Sequence, residues 1–474
     1  MRVAVISAEA VPYSKTGGLG DVAGALPKAL KQVGVDSLLI TPCYLQTKAD
    51  YLWQTAMDDL WVDWRGTQLK AKAFYSEANG SPTFLIDAPE YFHRDSIYGY
   101  REDPERFAFF NRAALSLLKR IGRAPDIVHL NDWHCGFAAV EIAESRLWNE
   151  YWRNTRTVFS IHNMAYQGVF GTDELWKFGF GSEFARNAFT SNGAASAMKA
   201  GLEVSDTLST VSRRYSYEIQ SPENGYGLDW LVRQRSNRLT GITNGVDYDV
   251  WNPQTDPEIA AHFNIDNLDG KAVCKRSVLE KFSLPVDMDR PILSSITRFT
   301  AQKGIDLMMQ VAGDILDAGA YIVSLGSGER AYESFWQRLR DYAPNQVGVF
   351  TGYNETLAHQ IEAGADMFMM PSKFEPCGLN QMYSLRYGTV PIVRAVGGLD
   401  DTVENFDAVS GKGNGFKFLE SSPDKFLESI YEALFAYSDK DTWRLIQRNG
   451  MLEDNSWENA ARKYIQLYDW TMHI

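Results

Sequence analysis

The chain of 474 residues is predicted to fold as an α/β protein built from two doubly wound parallel sheets. Three observations carry that prediction. Short β-rich runs alternate with amphipathic helical stretches, most β-runs of the second half are continuously and not alternately apolar, and glycine-rich segments follow several of them. A strand covered by helices on both faces needs continuous apolarity, whereas a half-exposed strand alternates.

Taken in chain order, strands are expected at Arg2–Ala8, Ser37–Thr41, Thr83–Asp87, Asp126–Leu130, Thr157–His162 and Thr207–Val211. The second half is more regular, with strands expected at Ile292–Arg298, Tyr321–Leu325, Val347–Thr351, Ala365–Pro371 and Val390–Ala395, each followed by helical sequence. Between the halves lie an Asn244-Gly245 turn and the helix-hostile Trp251-Asn252-Pro253, which suit a crossover segment. Two domains are therefore expected, 1–245 and 246–455. A closing amphipathic helix is expected over 456–474, from the spacing of Trp457, Ala460, Ala461, Tyr464, Leu467 and Tyr468. Tyr51–Ser81 and Ser182–Gly193 carry no usable signature.

Apolar residues make up 45% and charged residues 23% of the chain, proportions that support more than one buried core. The net charge of −13 disfavours a nucleic-acid partner, which would be held by release of counterions from phosphates. Cys43, Cys135, Cys274 and Cys377 are far apart, as expected in a reducing compartment. No run of about twenty apolar residues suggests a membrane partner. The expected location is the cytoplasm, or a plastid stroma after removal of a transit peptide.

Five segments carry candidate chemistry. Lys15-Thr16-Gly17-Gly18-Leu19-Gly20-Asp21 follows the first strand and precedes a helical pattern from Ala23 to Val33. Glycines ahead of a helix let amides approach an anion, and Lys15 adds a charge, so phosphate is the natural guest. The alternatives are a plain flexible connection, or a dinucleotide fold from Gly18-x-Gly20-x-x-Ala23. Against the latter, the loop from Glu9 to Gly17 is long and no acidic residue ends the second strand. Arg298 and Lys303 flank a turn where ligands of open α/β sheets bind, and can converge on a pyrophosphate if they are not simply solvated. Gly326-Ser327-Gly328 brings further amides to that edge. Glu375 precedes Cys377, Gly378 and Leu379, whose amides can meet hydroxyls or phosphate at a helix start. Cys377 lacks a nearby histidine and suits packing better than nucleophilic attack. Val396-Gly397-Gly398-Leu399 repeats the Gly-Gly-Leu of the first half, placing a glycine-rich loop in each domain.

In the first half, Asp132, Trp133 and His134 follow one strand and His162 follows another, pairing polar groups with rings in a manner suited to sugars. Asp247-x-Asp249 and Asp287-x-Asp289 could hold a metal, but their positions beside a turn and a strand suit turn formation better. No metal and no cofactor is expected.

Together, KTGGLGDV (15–22), HNMAYQGVF (162–170), ITNGV (242–246), RFTAQKGID (298–306), FEPCGL (374–379) and YGTVPIVRAVGGLDDTV (387–403) resemble the bacterial glycogen synthase and plant starch synthase family. The resemblance implies the GT-B fold, two Rossmann-like domains facing a deep cleft, with the C-terminal helix crossing back to the first. It implies a retaining transfer of glucose from ADP-glucose to the non-reducing end of an α-1,4-glucan. UDP-glucose as donor and a non-catalytic glucan-binding protein are the alternatives. By motif, Lys15, Gly17 and Gly18 resemble contacts to donor phosphate and glucose. Arg298 and Lys303 resemble the cations that neutralise the leaving ADP. Glu375, with the amides of Cys377, Gly378 and Leu379, is similar to the group that holds the donor glucose. Asp21, His162 and Asn244 resemble glucose and acceptor contacts, Gly326 joins the donor side, and Tyr353 resembles a ring that stacks on adenine. Tyr98, Asp132 and Trp133 are the candidate acceptor contacts.

Overall fold

In the computed structural model, which describes residues 1–52 and 54–474, the chain divides into two compact units. The first is Met1–Gly245 with Trp457–Ile474, and the second is Val246–Ser456.

The first unit contains β1 (Arg2–Ile6), β2 (Asp36–Pro42), β3 (Gln54–Trp64), β4 (Thr67–Ser76), β5 (Thr83–Asp87), β6 (Ile127–Asn131), β7 (Arg156–Ile161), β8 (Val169–Phe170), β9 (Thr190–Ser191), β10 (Ala194–Ser196), β11 (Thr207–Thr210) and β12 (Leu239–Gly241). Its main sheet runs β12-β11-β7-β6-β1-β2-β5-β4-β3, parallel from β12 to β5 and antiparallel over β5, β4 and β3. The strand order reverses between β1 and β6, the switch point at whose carboxyl edge such sheets bind ligands. Residues 3–6 are fully buried, as their continuous apolarity requires. The Gly18–Gln32 helix buries Val22, Ala23, Leu26, Ala29 and Leu30 in one core cluster with Trp457, Ala461, Tyr464 and Tyr468 of the Trp457–Met472 helix. A side chain at Gly245 would meet the Trp457 backbone at 2.4 Å, so the Asn-Gly turn is also a packing requirement. Tyr468 hydroxyl and His129 Nδ1 lie 2.8 Å apart. Burial drives the His129 pKa down to about 3, which keeps the ring neutral.

The second unit has β13 (Ile292–Ile296), β14 (Tyr321–Gly326), β15 (Val347–Thr351), β16 (Met367–Met370), β17 (Val390–Arg394) and β18 (Phe416–Phe418). They form one parallel sheet, β15-β14-β13-β16-β17-β18, with its switch point between β13 and β16. Every strand expected in this half forms, with ends displaced by a few residues. β13 stops at Ile296, which leaves Arg298 on the loop beyond it.

Several strands lay outside the sequence reading, among them the three-residue β12 and β18 at sheet edges. β3 and β4 form a long hairpin in 54–76, closed by Arg65 at φ 53° and Gly66 at φ 74°, the left-handed pair of a two-residue turn. β8, β10 and β9 form a small antiparallel sheet, each strand too short to show a period. Among the described residues no helix is long and apolar enough to cross a membrane.

Candidate functional site

In the first unit the carboxyl ends of β1, β6 and β7 bring together Glu9 to Gly18, Asp132 to His134, and His162. The helix begins at Gly18 with Gly17 as its N-cap, and no side chain caps it. A Cβ at Gly17 or Gly18 would meet nothing within 4 Å, and neither residue has a positive φ. The fold therefore does not demand glycine at either position. Lys15 and Asp21 form an ion pair at 2.7 Å.

Glu9, which the sequence reading passed over, anchors this loop. Its carboxylate accepts the Thr16 N–H at 2.5 Å, the Thr16 hydroxyl at 3.1 Å and the Tyr98 hydroxyl at 3.2 Å. Burial raises the pKa of Glu9, against the lowering effect of the Thr16 and Gly17 donors. A lone acidic residue after a strand has no signature, so only its long loop hinted at a role.

Asp132 is buried at φ 58°, a strained value for a residue with a side chain. Its carboxylate accepts the backbone N–H of His162 at 2.8 Å and of Asn163 at 3.4 Å. The β6 and β7 ends are thereby joined. His162 Nε2 lies 2.9 Å from Asn131 Oδ1, and burial pushes its pKa down to about 4. A neutral imidazole must donate from Nε2 to that carbonyl, so Nδ1 remains an acceptor for a hydroxyl. Tyr98 stacks on His134 with centroids 4.8 Å apart, and His134 lies against Trp133 at 4.1 Å. Trp133 in turn covers Gly168, where a Cβ would sit 2.0 Å from the indole. Trp133, Tyr166, Gln167 and Tyr226 line an open depression of about 360 Å³. Asn244 is buried and its Oδ1 finds no partner among the described residues, an unusual state for a buried carbonyl and one that a ligand hydroxyl would satisfy.

Burial raises the Asp132 pKa to about 7 despite the two backbone donors. Between about pH 4 and pH 7 the folded chain holds a proton that the unfolded chain has released, so stability falls as pH rises through that window. Asp132→Asn keeps an acceptor for both amides and is tolerated at positive φ. Its melting temperature should gain on that of the wild type between about pH 5 and about pH 8; a pH-independent difference would remove Asp132 from the titration.

In the second unit the loops after β13 and β16 are laced together at the switch point. Lys373 N–H donates to Gln302 O at 2.8 Å, Gln302 Nε2 donates to Phe374 O at 3.1 Å, and Asn380 Nδ2 donates to Ile296 O at 2.8 Å. Gly304, at φ 74°, passes so close to Pro371 O that a Cβ would stand 2.1 Å from it. The lacing brings Lys303 Nζ onto Glu375 Oε2 in an ion pair, with the Ser372 hydroxyl donating to the same oxygen at 3.3 Å. Both charged side chains are largely buried, 18% and 9% exposed. Arg298 is exposed, and no ion pair holds it among the described residues. Tyr353, 83% exposed, donates its hydroxyl to Glu355 at 2.9 Å, which leaves the ring face to solvent. Gln381 Nε2 donates to Cys377 O and Gly378 O, fixing the turn in which Gly378 takes φ 71°. Cys377 is buried.

Two sequence expectations change here, at Gly326 and at Gly397-Gly398, while the turns at the D-x-D segments and the disfavoured dinucleotide loop come out as expected. A Cβ at Gly326 would lie 1.9 Å from Thr297 O, so its close approach is to β13's own exit. Gly397 and Gly398 do not reproduce the open loop of the first unit: a Cβ at either would strike Glu375 O at 1.9 Å or Cys377 O at 2.0 Å. Asp249 N–H donates to Asp247 Oδ1 and Asp289 N–H to Asp287 Oδ1, which makes both D-x-D segments turns. Gly20 is not the second glycine of a dinucleotide loop, since it lies inside the helix and a Cβ there would crowd Ser14 O at 3.2 Å and Glu9 Oε2 at 3.3 Å.

Two doubly wound units, each with charged and polar side chains at its switch point, define the fold of a glycosyltransferase of the GT-B class. The family model for the starch synthase catalytic domain matches residues 2–234, and that for glycosyl transferases group 1 matches 279–446. A glycogen synthase of Anaeromyxobacter dehalogenans (strain 2CP-C) is 44% identical over 99% of each chain, and one of Koribacter versatilis is 42% identical over 99% of this chain and 98% of its own. The catalytic domain of starch synthase IV from Arabidopsis thaliana, solved with ADP and acarbose, superposes with a TM-score of 0.90 at 32% identity, covering 100% of this chain and 99% of that one. Sucrose-phosphate synthase from Thermosynechococcus elongatus, at 18% identity and a TM-score of 0.61, shares the fold. The chain belongs to the glycogen synthase and starch synthase family of glucosyltransferases. That membership sets aside the dinucleotide fold and the non-catalytic glucan binder.

Proposed function

We propose that this enzyme transfers glucose from ADP-glucose to the non-reducing end of an α-1,4-glucan with retention of configuration, releasing ADP. The observation that carries the reading is the Lys303–Glu375 pair at the switch point of the second unit, with Arg298 exposed on the same loop after β13 as Lys303. Breaking a glycosyl phosphate bond puts negative charge on the departing diphosphate and positive charge on the sugar. Cations held in place for the first, and a carboxylate for the second, lower the barrier without reorganisation. In this reading 246–455 is the donor domain, where Arg298 and Lys303 hold the diphosphate and Glu375 faces the glucose with the amides of Cys377, Gly378 and Leu379. The exposed ring of Tyr353 supports stacking on a base, and Gly326 shapes the same edge. The first domain, 1–245 with the helix 456–474, supplies Lys15, Gly17 and Gly18 to the donor. It supplies Asp21, His162 and Asn244 to sugar hydroxyls, and Tyr98, Asp132 and Trp133 to the acceptor. The C1–O bond to the β-phosphate breaks as the acceptor O4 bonds to C1 on the same face, and the O4 proton passes to the departing phosphate oxygen.

The choice of ADP over UDP is supported by the starch synthase relative solved with ADP and acarbose. Radiolabelled ADP-glucose and UDP-glucose compared with glycogen as acceptor test it: faster incorporation from ADP-glucose is expected, and a preference for UDP-glucose would reverse the assignment. Four buried cysteines scattered along the chain support a cytoplasmic location.

The open surroundings of Gly18 give a further expectation. Gly18→Ala adds a methyl that meets nothing in the chain and stands in the first turn of a helix, so stability should change by less than about 1 kcal/mol. Where a phosphate must approach, the same methyl should raise the ADP-glucose KM about tenfold or more. Initial rates and a thermal melt read both effects.

A further inference from the structure

Glu9 sits beyond the end of β1 at the first unit's switch point and is buried to 3% exposure. All the recorded polar neighbours of its carboxylate are donors. Oε2 accepts Thr16 N–H at 2.5 Å, Thr16 Oγ1–H at 3.1 Å and the long Gly17 N–H contact at 3.4 Å; Oε1 accepts Thr16 Oγ1–H at 3.1 Å and Tyr98 O–H at 3.2 Å. Space for this group is kept by Gly20, where a Cβ would press to 3.3 Å from Oε2. The side chain therefore grips two segments 82 residues apart (Thr16 to Tyr98), one being the glycine loop and the other the ring that lies on His134.

We propose that Glu9 is a positioning residue that sets the Lys15–Gly18 loop and the Tyr98 ring from one carboxylate, so that donor binding and acceptor binding are energetically coupled through it. The inference rests on the functional reading above, in which the loop meets the donor phosphates and Tyr98 meets the glucan. A donor phosphate settling against the Gly17-Gly18 turn, with the Gly18 amide as its donor, fixes Thr16 and hence the rotamer of Glu9. A fixed Oε1 in turn holds the Tyr98 hydroxyl and the orientation of its ring, so the acceptor meets a surface already ordered. Ordering that one ligand has secured need not be repeated by the second, which is positive coupling. Such coupling must be reciprocal, with ADP strengthening glucan binding by the factor by which glucan strengthens ADP binding.

The test is calorimetric titration of the full-length enzyme with ADP and with maltoheptaose, each alone and in the presence of the other at saturation. In the wild type a coupling factor of about fivefold or more, equal in both directions, is expected. Glu9→Ala should bring the factor close to one, whereas Glu9→Gln, which keeps an acceptor for Thr16, should retain part of it. Tyr98→Phe removes only the hydroxyl that reaches Oε1 and should also lose the coupling; it carries the test if Glu9→Ala does not fold. Wild-type ligands that bind independently, or a factor unchanged in Tyr98→Phe, would overturn the inference while leaving the functional reading in place. Failure of the wild type to bind either ligand would overturn that reading itself.

Discussion

Lys303→Ala is expected to fold and to lose turnover by about 10²- to 10³-fold, the cost of deleting one preorganised group aimed at developing charge. In the ground state Lys303 is committed to Glu375, so its ammonium is held in place before any diphosphate develops charge. Removing it leaves Glu375, 9% exposed, with only the Ser372 hydroxyl at 3.3 Å, a loss of about 1–3 kcal/mol in stability for a buried acceptor whose charged partner is gone. The two effects separate in the double variant Lys303→Ala with Glu375→Gln, which removes the stranded charge. It should recover most of the melting temperature and none of the turnover. A folded Lys303→Ala that releases ADP at near the wild-type rate would exclude the leaving-group role.

Glu375→Ala is expected to reduce turnover on the order of 10³-fold with the donor still bound. Its effect on ADP affinity should have the opposite sign to that of Lys303→Ala. Without Glu375 the Lys303 ammonium has no carboxylate competing for it, so ADP should bind as tightly as before or tighter, while Lys303→Ala should weaken it. Charge-assisted hydrogen bonds of about 1.5–3 kcal/mol set the scale of that difference. Titration with ADP reads the sign directly, and an unchanged rate in a folded Glu375→Ala would take the residue out of the reaction.

The strands of the second unit were legible because burial on both faces favours continuous apolar runs, as at Met367–Met370. The same rule hid the β3–β4 hairpin, a half-exposed ribbon whose signal is the alternation of Leu60, Val62 and Trp64, buried among exposed neighbours, followed by Arg65-Gly66. The placement of Lys15, Arg298, Lys303 and Glu375 on loops beyond strand ends could be read because glycines and charges that follow an apolar run mark where the strand stops. What could not be read was pairing. That Lys303 rests on Glu375, that Asp132 ties β6 to β7 through the His162 amide, and that Glu9 binds Tyr98 all depend on which loops the sheet order makes neighbours. Two strands with consecutive numbers, such as β6 and β7, are adjacent by default, but β13 and β16 meet only through a crossover, and local sequence carries no trace of it.

The two Gly-Gly-Leu tripeptides also carry opposite mutational signatures. At Gly397 and Gly398 any larger residue drives into the Glu375 to Cys377 main chain, so such variants should vanish from a library at the stage of soluble expression. At Gly17 and Gly18 the polypeptide is indifferent to a methyl, and the same variants should survive that stage and drop out only when clones are selected for polymer synthesis. An identical three-letter string thus marks a joint of the scaffold in one half of the molecule and a berth kept clear for cargo in the other.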